Sequence, residues 1–150
     1  MDPCPVRATR DCAASPKEER LARRPPERRF LVLFLRYWLP VLAYVTLIAY
    51  LSAQPNLKPP IRFENSDKVY HVLEYLVLGV LLARALRANL RNREPAYAAI
   101  VALGLGILIG TGDEYLQSFI PGRESSALDL LADSAGLVVA QFLFAWILRE

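Results

Sequence analysis

Four apolar segments alternate with short polar connections along this chain, at about residues 30–51, 66–88, 95–119 and 126–148. A helix rises 1.5 Å per residue, so about twenty apolar residues cross the roughly 30 Å hydrocarbon core of a bilayer. A soluble core would be built from shorter amphipathic pieces. The pattern therefore predicts an all-α, polytopic membrane protein with four transmembrane helices.

Local signals mark where these helices begin and end. Prolines within residues 55–60 indicate an extended loop after the first helix. Ser66 is a favourable helix N-terminal residue, and Pro95 suits the first turn of the third helix. Pro121-Gly122 predicts a tight turn before the fourth helix. The first apolar segment is longer than the 7–15 residues of a signal-peptide core and lacks a good cleavage site, so it is predicted to remain as a membrane span.

The first 29 residues differ from the rest of the chain. They contain five prolines, eight Lys or Arg residues and five acidic residues, with almost nothing apolar to bury. This composition predicts a disordered basic tail, followed by one four-helix membrane domain over residues 30–150. Cys4 and Cys12 match no zinc spacing, and in a cytoplasmic tail we expect free thiols.

The orientation follows from the distribution of Lys and Arg. With the N-terminus in the cytoplasm, thirteen of these residues face the cytoplasm and four face outward. Arg36 lies inside the first helix, near enough to its start to reach the interface. Cytoplasmic loops carry the excess of positive charge, so both termini are predicted to be cytoplasmic.

Composition changes this picture little. The chain has 150 residues, 54% of them hydrophobic, and a net charge of +3 with a pI of about 9.0. A basic pI can indicate nucleic-acid binding, but no nucleic-acid motif accompanies it and topology already explains the arginines. The predicted partner is the lipid bilayer, with no nucleic acid.

Two polar strings interrupt the apolar segments. The first lies in residues 67–74, and the second runs from Asp113 to Asp133. An ionisable group at membrane depth costs roughly 2.5–3.5 kcal/mol even on lenient insertion scales, so such groups are read as functional by default. The candidate ligand-binding residues are Asp67, Lys68, His71, Glu74, Asp113, Glu114, Gln117, Arg123, Asp129 and Asp133.

Helical spacing brings these residues to common faces and a common depth. Asp67, His71 and Glu74 share one face of the second helix, and Asp129 and Asp133 share one face of the fourth. The third helix carries small residues at positions 98, 102, 106 and 110, and this row leads to Glu114. Small residues allow close helix contact in membranes. The polar groups are therefore predicted to meet near the outer surface, above a tight helix contact.

Structural explanations compete with this site. Asp67 can simply stabilise the N-terminus of its helix through the helix dipole. Asp129 can belong to a capping box with Ser126. Lys68 lies at the interface, where charge is tolerated, and Arg123 can be a topology anchor or the ion-pair partner of Glu114. His71 alone would more often be a packed, hydrogen-bonded histidine. The case for a site depends on the convergence of several helices.

The polar strings resemble the VanZ-like family, which is named for its association with resistance to the glycopeptide teicoplanin. The resemblance covers roughly residues 40–145. One departure is Asp133, where the family usually shows Asn; a further carboxylate there adds negative charge or needs a proton. The matching positions are Asp67-Lys68, His71, Tyr75 and Gly79, then Glu114, Gln117, Pro121-Gly122-Arg123, Asp129 and Gly136.

The resemblance implies a small multi-pass protein of the bacterial cytoplasmic (inner) membrane, connected with the cell envelope. It carries no catalytic assignment. The leading hypothesis is a site that binds or modifies an envelope component, such as a lipid-linked or peptidoglycan-related ligand. Arg123 suits a phosphate or carboxylate, His71 can exchange protons near neutral pH, and Glu74 or Glu114 can act as an acid or base.

Two alternatives remain open. Buried carboxylates and a histidine can form the proton relay of a transporter for a small solute. The cluster can also serve only to assemble four helices. No nucleophile motif is present, which favours a binding protein over an enzyme. One histidine with scattered acids defines no metal-ligand set, so neither a metal nor a cofactor is predicted.

Overall fold

A computed structural model describes residues 26–55, 65–123 and 125–147. Within these ranges every regular element is helical. The elements are α1 (Pro26–Leu33), a π-helical turn (Phe34–Trp38), α2 (Leu39–Ser52), α3 (Ser66–Asn89), α4 (Pro95–Gln117) and α5 (Ala127–Ile147). The predicted all-helical fold is therefore confirmed.

Four of the resulting spans are long and apolar enough to cross a membrane: Phe30–Ser52, Ser66–Asn89, Pro95–Gln117 and Ala127–Ile147. They agree with the four predicted helices to within two residues at every end. Leu148, the predicted end of the last helix, lies outside the described residues. The predicted disordered tail also lies outside them, except that α1 already begins at Pro26. Proline suits this first helical position because its missing N–H would have no partner there anyway.

The π-helical turn was not predicted from the sequence. Pro40 follows it and has no N–H to donate, and a proline ring collides with the carbonyl four residues earlier. The N–H of Leu39 bonds to the Phe34 carbonyl, five residues back, and the helix widens by one residue at this point. The span nevertheless continues through α2 to Ser52.

The turn between α4 and α5 follows the sequence closely. Gly122 has φ 81°, which only glycine adopts readily, and the N–H of Arg123 bonds to the Ile120 carbonyl at 3.1 Å. Proline and then glycine at the centre of such a turn is the type II pattern. The helix before it ends at Gln117, two residues before the predicted Phe119. The last turn tightens there, since the N–H groups of residues 119 and 120 bond three residues back.

The chain divides into two compact units at residues 32 and 33. In the unit that begins at Leu33, the most extensive helix contact joins α3 to α5. These two helices run parallel, since Val72 lies against Gly136 and Gly79 lies against Ala140. Helix α4 runs antiparallel to α5, with Gly106 against Leu137 and Gly110 against Asp133.

The buried apolar core lies between the helices, and large apolar side chains also cover the outside. Ile100 and Leu108 on α4 and Phe142 on α5, for example, are all more than 60% exposed. Lipid tails stabilise such side chains where water would not, which fits four membrane spans. The core residues are Val41, Ile48, Tyr75, Leu78, Leu82, Ala85, Leu86, Ala98, Ala102 and Leu137.

Candidate functional site

Four helix ends meet on one side of this unit. Helix α2 ends there at Ser52, α3 begins at Ser66, α4 ends at Gln117 and α5 begins at Ala127. The polar residues of both sequence strings lie within two turns of these ends. Because α3 and α5 both begin on this side, their acidic and basic residues lie beside one another.

Parallel packing of α3 against α5 joins two pairs of ionisable residues. Lys68 Nζ lies 3.2 Å from Asp129 Oδ1, and His71 Nδ1 lies 2.9 Å from Asp133 Oδ1. Gly136 allows this approach, because a Cβ at that position would collide with the Val72 carbonyl. The second pair is the deeper one: the Asp133 side chain is fully buried, and that of His71 is 13% exposed.

Helix α4 adds Glu114 to the His71–Asp133 pair. Gly110, one turn before Glu114, lies so close to α5 that a Cβ there would be 3.2 Å from Asp133 Oδ2. Glu114 Oε2 accepts the backbone N–H of Ser126 at 2.9 Å, and this bond ties α4 to the start of α5. One ligand atom each from His71, Glu114 and Asp133 lies within 4.8 Å of the others. We call these three residues the triad.

A second group of polar contacts ties α4 to the end of α2. Gln117 Nε2 donates to Asp113 Oδ2 at 2.8 Å and to Ser52 Oγ at 3.3 Å. Arg123 Nη2 donates to the Leu51 carbonyl at 3.0 Å. The first transmembrane span is therefore held to the site by side chains of α4 and of the turn that follows it.

Several buried polar atoms in this region have no partner among the described residues. Buried polar groups are almost always hydrogen-bonded, so a concentration of unpartnered ones needs an explanation. Three are carboxylate oxygens, and the other two belong to a phenol and a guanidinium. They are Asp113 Oδ1, Glu114 Oε1, Asp133 Oδ2, Tyr75 Oη and Arg123 Nε. With the contacts above, they define the polar cluster: Lys68, His71, Tyr75, Asp113, Glu114, Gln117, Arg123, Asp129 and Asp133.

Comparison with known proteins agrees with this architecture. A family model described as VanZ/LLP1 matches residues 24–149. The chain belongs to the VanZ/LLP1 family. The match is wider than the resemblance over residues 40–145 and includes the whole of the first span. No curated protein and no solved structure matches the chain. With its four spans, the chain is a multi-pass membrane protein of the VanZ/LLP1 type.

The structure brings together most of the candidate residues of this VanZ/LLP1 chain. Asp67 is the clearest exception: its side chain is 55% exposed and bonds to Lys68 at 2.9 Å. Its position in the first turn of α3 fits the helix-dipole explanation. Glu74 is half-buried, and its backbone carbonyl accepts the Tyr44 hydroxyl at 3.2 Å. Neither carboxylate belongs to the triad.

Two of the structural alternatives are wrong in their details. The capping box would give the Ser126 N–H to Asp129, but Glu114 accepts it and Asp129 bonds to Lys68 instead. Ser126 still caps α5 through its hydroxyl, which accepts the Leu128 N–H at 3.1 Å. Glu114 and Arg123 do not form an ion pair; Glu114 bonds to the Ser126 N–H and Arg123 to the Leu51 carbonyl.

Two residues of this region, Tyr75 and Ser52, were not among the candidate ligand-binding residues, although Tyr75 is one of the positions that carry the family resemblance. Tyr75 is fully buried with an unpartnered hydroxyl, and Ser52 is buried at the end of α2. Tyr75 lies four residues after His71, so the helical period could have placed it on the same face. Ser52 gave no comparable signal, since a serine at the end of an apolar segment normally faces the interface.

The opposite end of this unit has a separate cavity of about 320 Å³, and its lining includes Arg87, Pro95 and Gln141. Gln141 donates to the Gly79 carbonyl at 3.3 Å. Between this cavity and the polar cluster lie the fully buried side chains of Leu78 and Leu137. Close apolar packing therefore separates this cavity from the polar cluster.

Proposed function

We propose that the polar cluster binds a polar component of the bacterial cell envelope, such as the headgroup of a lipid-linked or peptidoglycan-related molecule. The observation that carries this proposal is a set of five buried polar atoms in one cluster that find no partner among the described residues. A buried donor or acceptor left without a partner costs about 1–3 kcal/mol. A ligand that supplies the missing partners would recover that free energy on binding.

The chemistry of these atoms limits the ligand. Carboxylate oxygens of Asp113, Glu114 and Asp133 accept hydrogen bonds, whereas Arg123 Nε donates and the Tyr75 hydroxyl can do either. A suitable ligand therefore offers several donors, such as sugar hydroxyls, amides or an amine. It also offers at least one acceptor, such as a phosphate or carbonyl oxygen, to Arg123. Headgroups of envelope precursors combine both kinds of group.

The position of the cluster suits such a headgroup. It lies within about two turns of the helix ends, which is close to the interface of a bilayer. The excess of Lys and Arg around the other connection favours an outward-facing cluster in the cytoplasmic (inner) membrane. There the cluster would meet molecules of the outer leaflet.

The unpartnered atoms also distinguish this function from its two alternatives. A cluster that only assembled the helices would be expected to satisfy its own polar atoms, because half-satisfied networks destabilise a core. A proton relay would need polar groups across the membrane, but Leu78 and Leu137 lie fully buried beyond the cluster. Ligand binding therefore accounts better than either alternative for the unpartnered polar atoms of the cluster and for the buried leucines beyond it. A link to teicoplanin resistance would follow if the bound component is one that the antibiotic also recognises.

The proposal is tested by native mass spectrometry of the protein purified gently from bacterial membranes. The expected result is a retained envelope lipid or saccharide on the wild-type protein and its loss on Glu114→Gln. Glu94→Gln is the matched control, since Glu94 is exposed at the opposite end of α4. Wild-type protein that carries no adduct beyond ordinary bulk phospholipid would contradict the proposal. Equal retention by both variants would contradict it as well.

A further inference from the structure

We infer that His71, Glu114 and Asp133 form a binding site for one divalent metal ion of the class that takes mixed nitrogen and oxygen ligands, such as Zn²⁺ or Mn²⁺. These residues come from α3, α4 and α5 respectively. The inference assigns an ion to the triad, whereas the sequence alone defined no metal-ligand set. It rests on the proposed function only for what the bound ion would do.

The distances within the triad support this assignment. One nitrogen of His71 and one carboxylate oxygen each of Glu114 and Asp133 lie within 4.8 Å of one another. Metal bonds of about 2.0–2.2 Å hold ligand atoms roughly 3–4 Å apart, so adjustments of about 1 Å would bring all three onto one ion. Imidazole nitrogen favours zinc and similar transition metals, while carboxylates also accept manganese.

An independent observation also points to a ligand at the triad. Glu114 Oε1 and Asp133 Oδ2 are buried and have no partner within residues 26–55, 65–123 and 125–147; the two residues are 7% and 0% exposed. Each carboxylate already uses its other oxygen: Glu114 accepts the Ser126 N–H, and Asp133 bonds to His71. The two free oxygens are those that remain available to a cation.

The charges of the polar cluster point in the same direction. It contains four carboxylates, at residues 113, 114, 129 and 133, against the two cationic side chains of Lys68 and Arg123. With a neutral His71, these side chains carry an excess of two negative charges, and Asp67, which also bonds to Lys68, adds a third. A divalent cation would reduce this excess. Lys68 bonds to Asp129 and Arg123 to the Leu51 carbonyl, so neither cation is paired with the triad.

The backbone around the triad resembles the support that metal ligands usually receive. Outer-shell hydrogen bonds orient ligand side chains, and the Ser126 N–H does this for Glu114. Gly110 leaves the space beside Asp133 Oδ2 free of a side chain, since a Cβ there would lie 3.2 Å away. Alanine at this position would crowd the oxygen that we assign to the metal.

Three protein ligands leave at least one coordination position open, as in zinc sites that bind a further molecule. A phosphate or carbonyl oxygen of the proposed envelope ligand could take that position. This would reconcile an acidic cluster with an anionic headgroup, because the ion would lie between them. No reaction is needed for this role, only coordination.

The test uses full-length protein in detergent, stripped with a chelator and then dialysed. Isothermal titration with Zn²⁺ and with Mn²⁺, together with elemental analysis after gel filtration, should show one ion per chain. Glu114→Gln and Asp133→Asn should each weaken metal binding by at least tenfold. Loss of a mere outer-shell partner already lowers metal affinity about 10–100-fold, and these variants change the ligands themselves. Glu94→Gln, which removes an exposed carboxylate from the other end of α4, should bind as the wild type does.

Folding is checked for every variant by circular dichroism and gel filtration, and His71→Gln replaces any carboxylate variant that fails. Wild-type protein that binds neither ion at one per chain would overturn the inference, as would undiminished binding by all three triad variants. Failure of the metal proposal is distinguishable from failure of the proposed function. If only the metal proposal fails, native mass spectrometry should show the envelope ligand retained both with and without chelator. If only the proposed function fails, the protein should bind the ion but retain no envelope ligand.

Discussion

Asp133 Oδ1 lies 2.9 Å from His71 Nδ1, while the other oxygen of the same carboxylate is buried with no partner in the described part of the chain. Helices α3 and α5 thus meet through a carboxylate that is only half satisfied. The residues are 62 positions apart in the chain, and their contact depends on the parallel register of the two helices. Several measurable consequences follow from this arrangement and its surroundings.

The His71–Asp133 pair should be strongly coupled. His71→Ala leaves the fully buried Asp133 carboxylate without its hydrogen-bond partner, and a buried acceptor left unsatisfied costs about 1–3 kcal/mol, or more for a charged group. The double variant His71→Ala/Asp133→Ala should be less destabilised than the sum of the two single variants, with a coupling free energy of about 0.5–3 kcal/mol. Chemical unfolding in detergent with a chelator present measures all four corners of the cycle. Additive effects would show that the contact contributes nothing.

The contact between α3 and α5 should not tolerate a side chain at position 136. Gly136→Ala would push a Cβ into the Val72 carbonyl, and backbone cannot move aside as a side chain can. Overpacking of this kind typically costs about 1–3 kcal/mol of stability. Because this clash is with backbone, we expect a cost near the upper end of that range. Thermal unfolding monitored by circular dichroism should show a clear loss of stability.

Gly112→Ala is the matched control, because a Cβ at Gly112 meets nothing within 4 Å. Alanine favours a helix by about 0.8–1.0 kcal/mol over glycine, so this variant should be as stable as the wild type or more so. Equal stability of the two alanine variants would contradict the close packing at Gly136.

Arg123 should have two separable roles. Its Nη2 ties the turn after α4 to the Leu51 carbonyl, and Arg123→Met removes this bond at a cost of about 1.5–3 kcal/mol. Arg123→Lys keeps a cationic donor for Leu51 but loses Nε, which has no partner among the residues that the structure describes. Lysine should therefore preserve the melting temperature better than methionine, and both should reduce retention of the envelope ligand. Full ligand retention in the lysine variant would remove Nε from the proposed site.

The orientation in the membrane can be measured by labelling single cysteines. After Cys4 and Cys12 are changed to serine, Ser125→Cys should react with an impermeant maleimide in intact cells. Asn92→Cys should react only after the membrane is permeabilised. Both positions are exposed, and they lie in connections at opposite ends of α4. The reverse pattern would place the polar cluster on the cytoplasmic side.

The sequence by itself determined the helices, because each apolar segment is long enough to cross a bilayer and each is bounded by residues that start or stop a helix. The Pro121-Gly122 turn and the row of small residues on α4 follow from local rules in the same way. Positions 98, 102, 106 and 110 are all buried, as that row predicted. Periodicity within single helices also placed most of the polar residues at one end.

Tertiary structure decided which of those residues meet. Single-helix periodicity puts Asp67, His71 and Glu74 on one face, but only the register against α5 selects His71 for contact with Asp133. That register depends on the approach of Gly136 to the Val72 carbonyl, which no pattern along one helix contains. Likewise, Glu114 accepts the Ser126 N–H because the packing of α4 against α5 brings the start of α5 beside it. Contacts between helices join residues that are far apart along the chain. Local sequence patterns therefore do not predict which of these residues will meet.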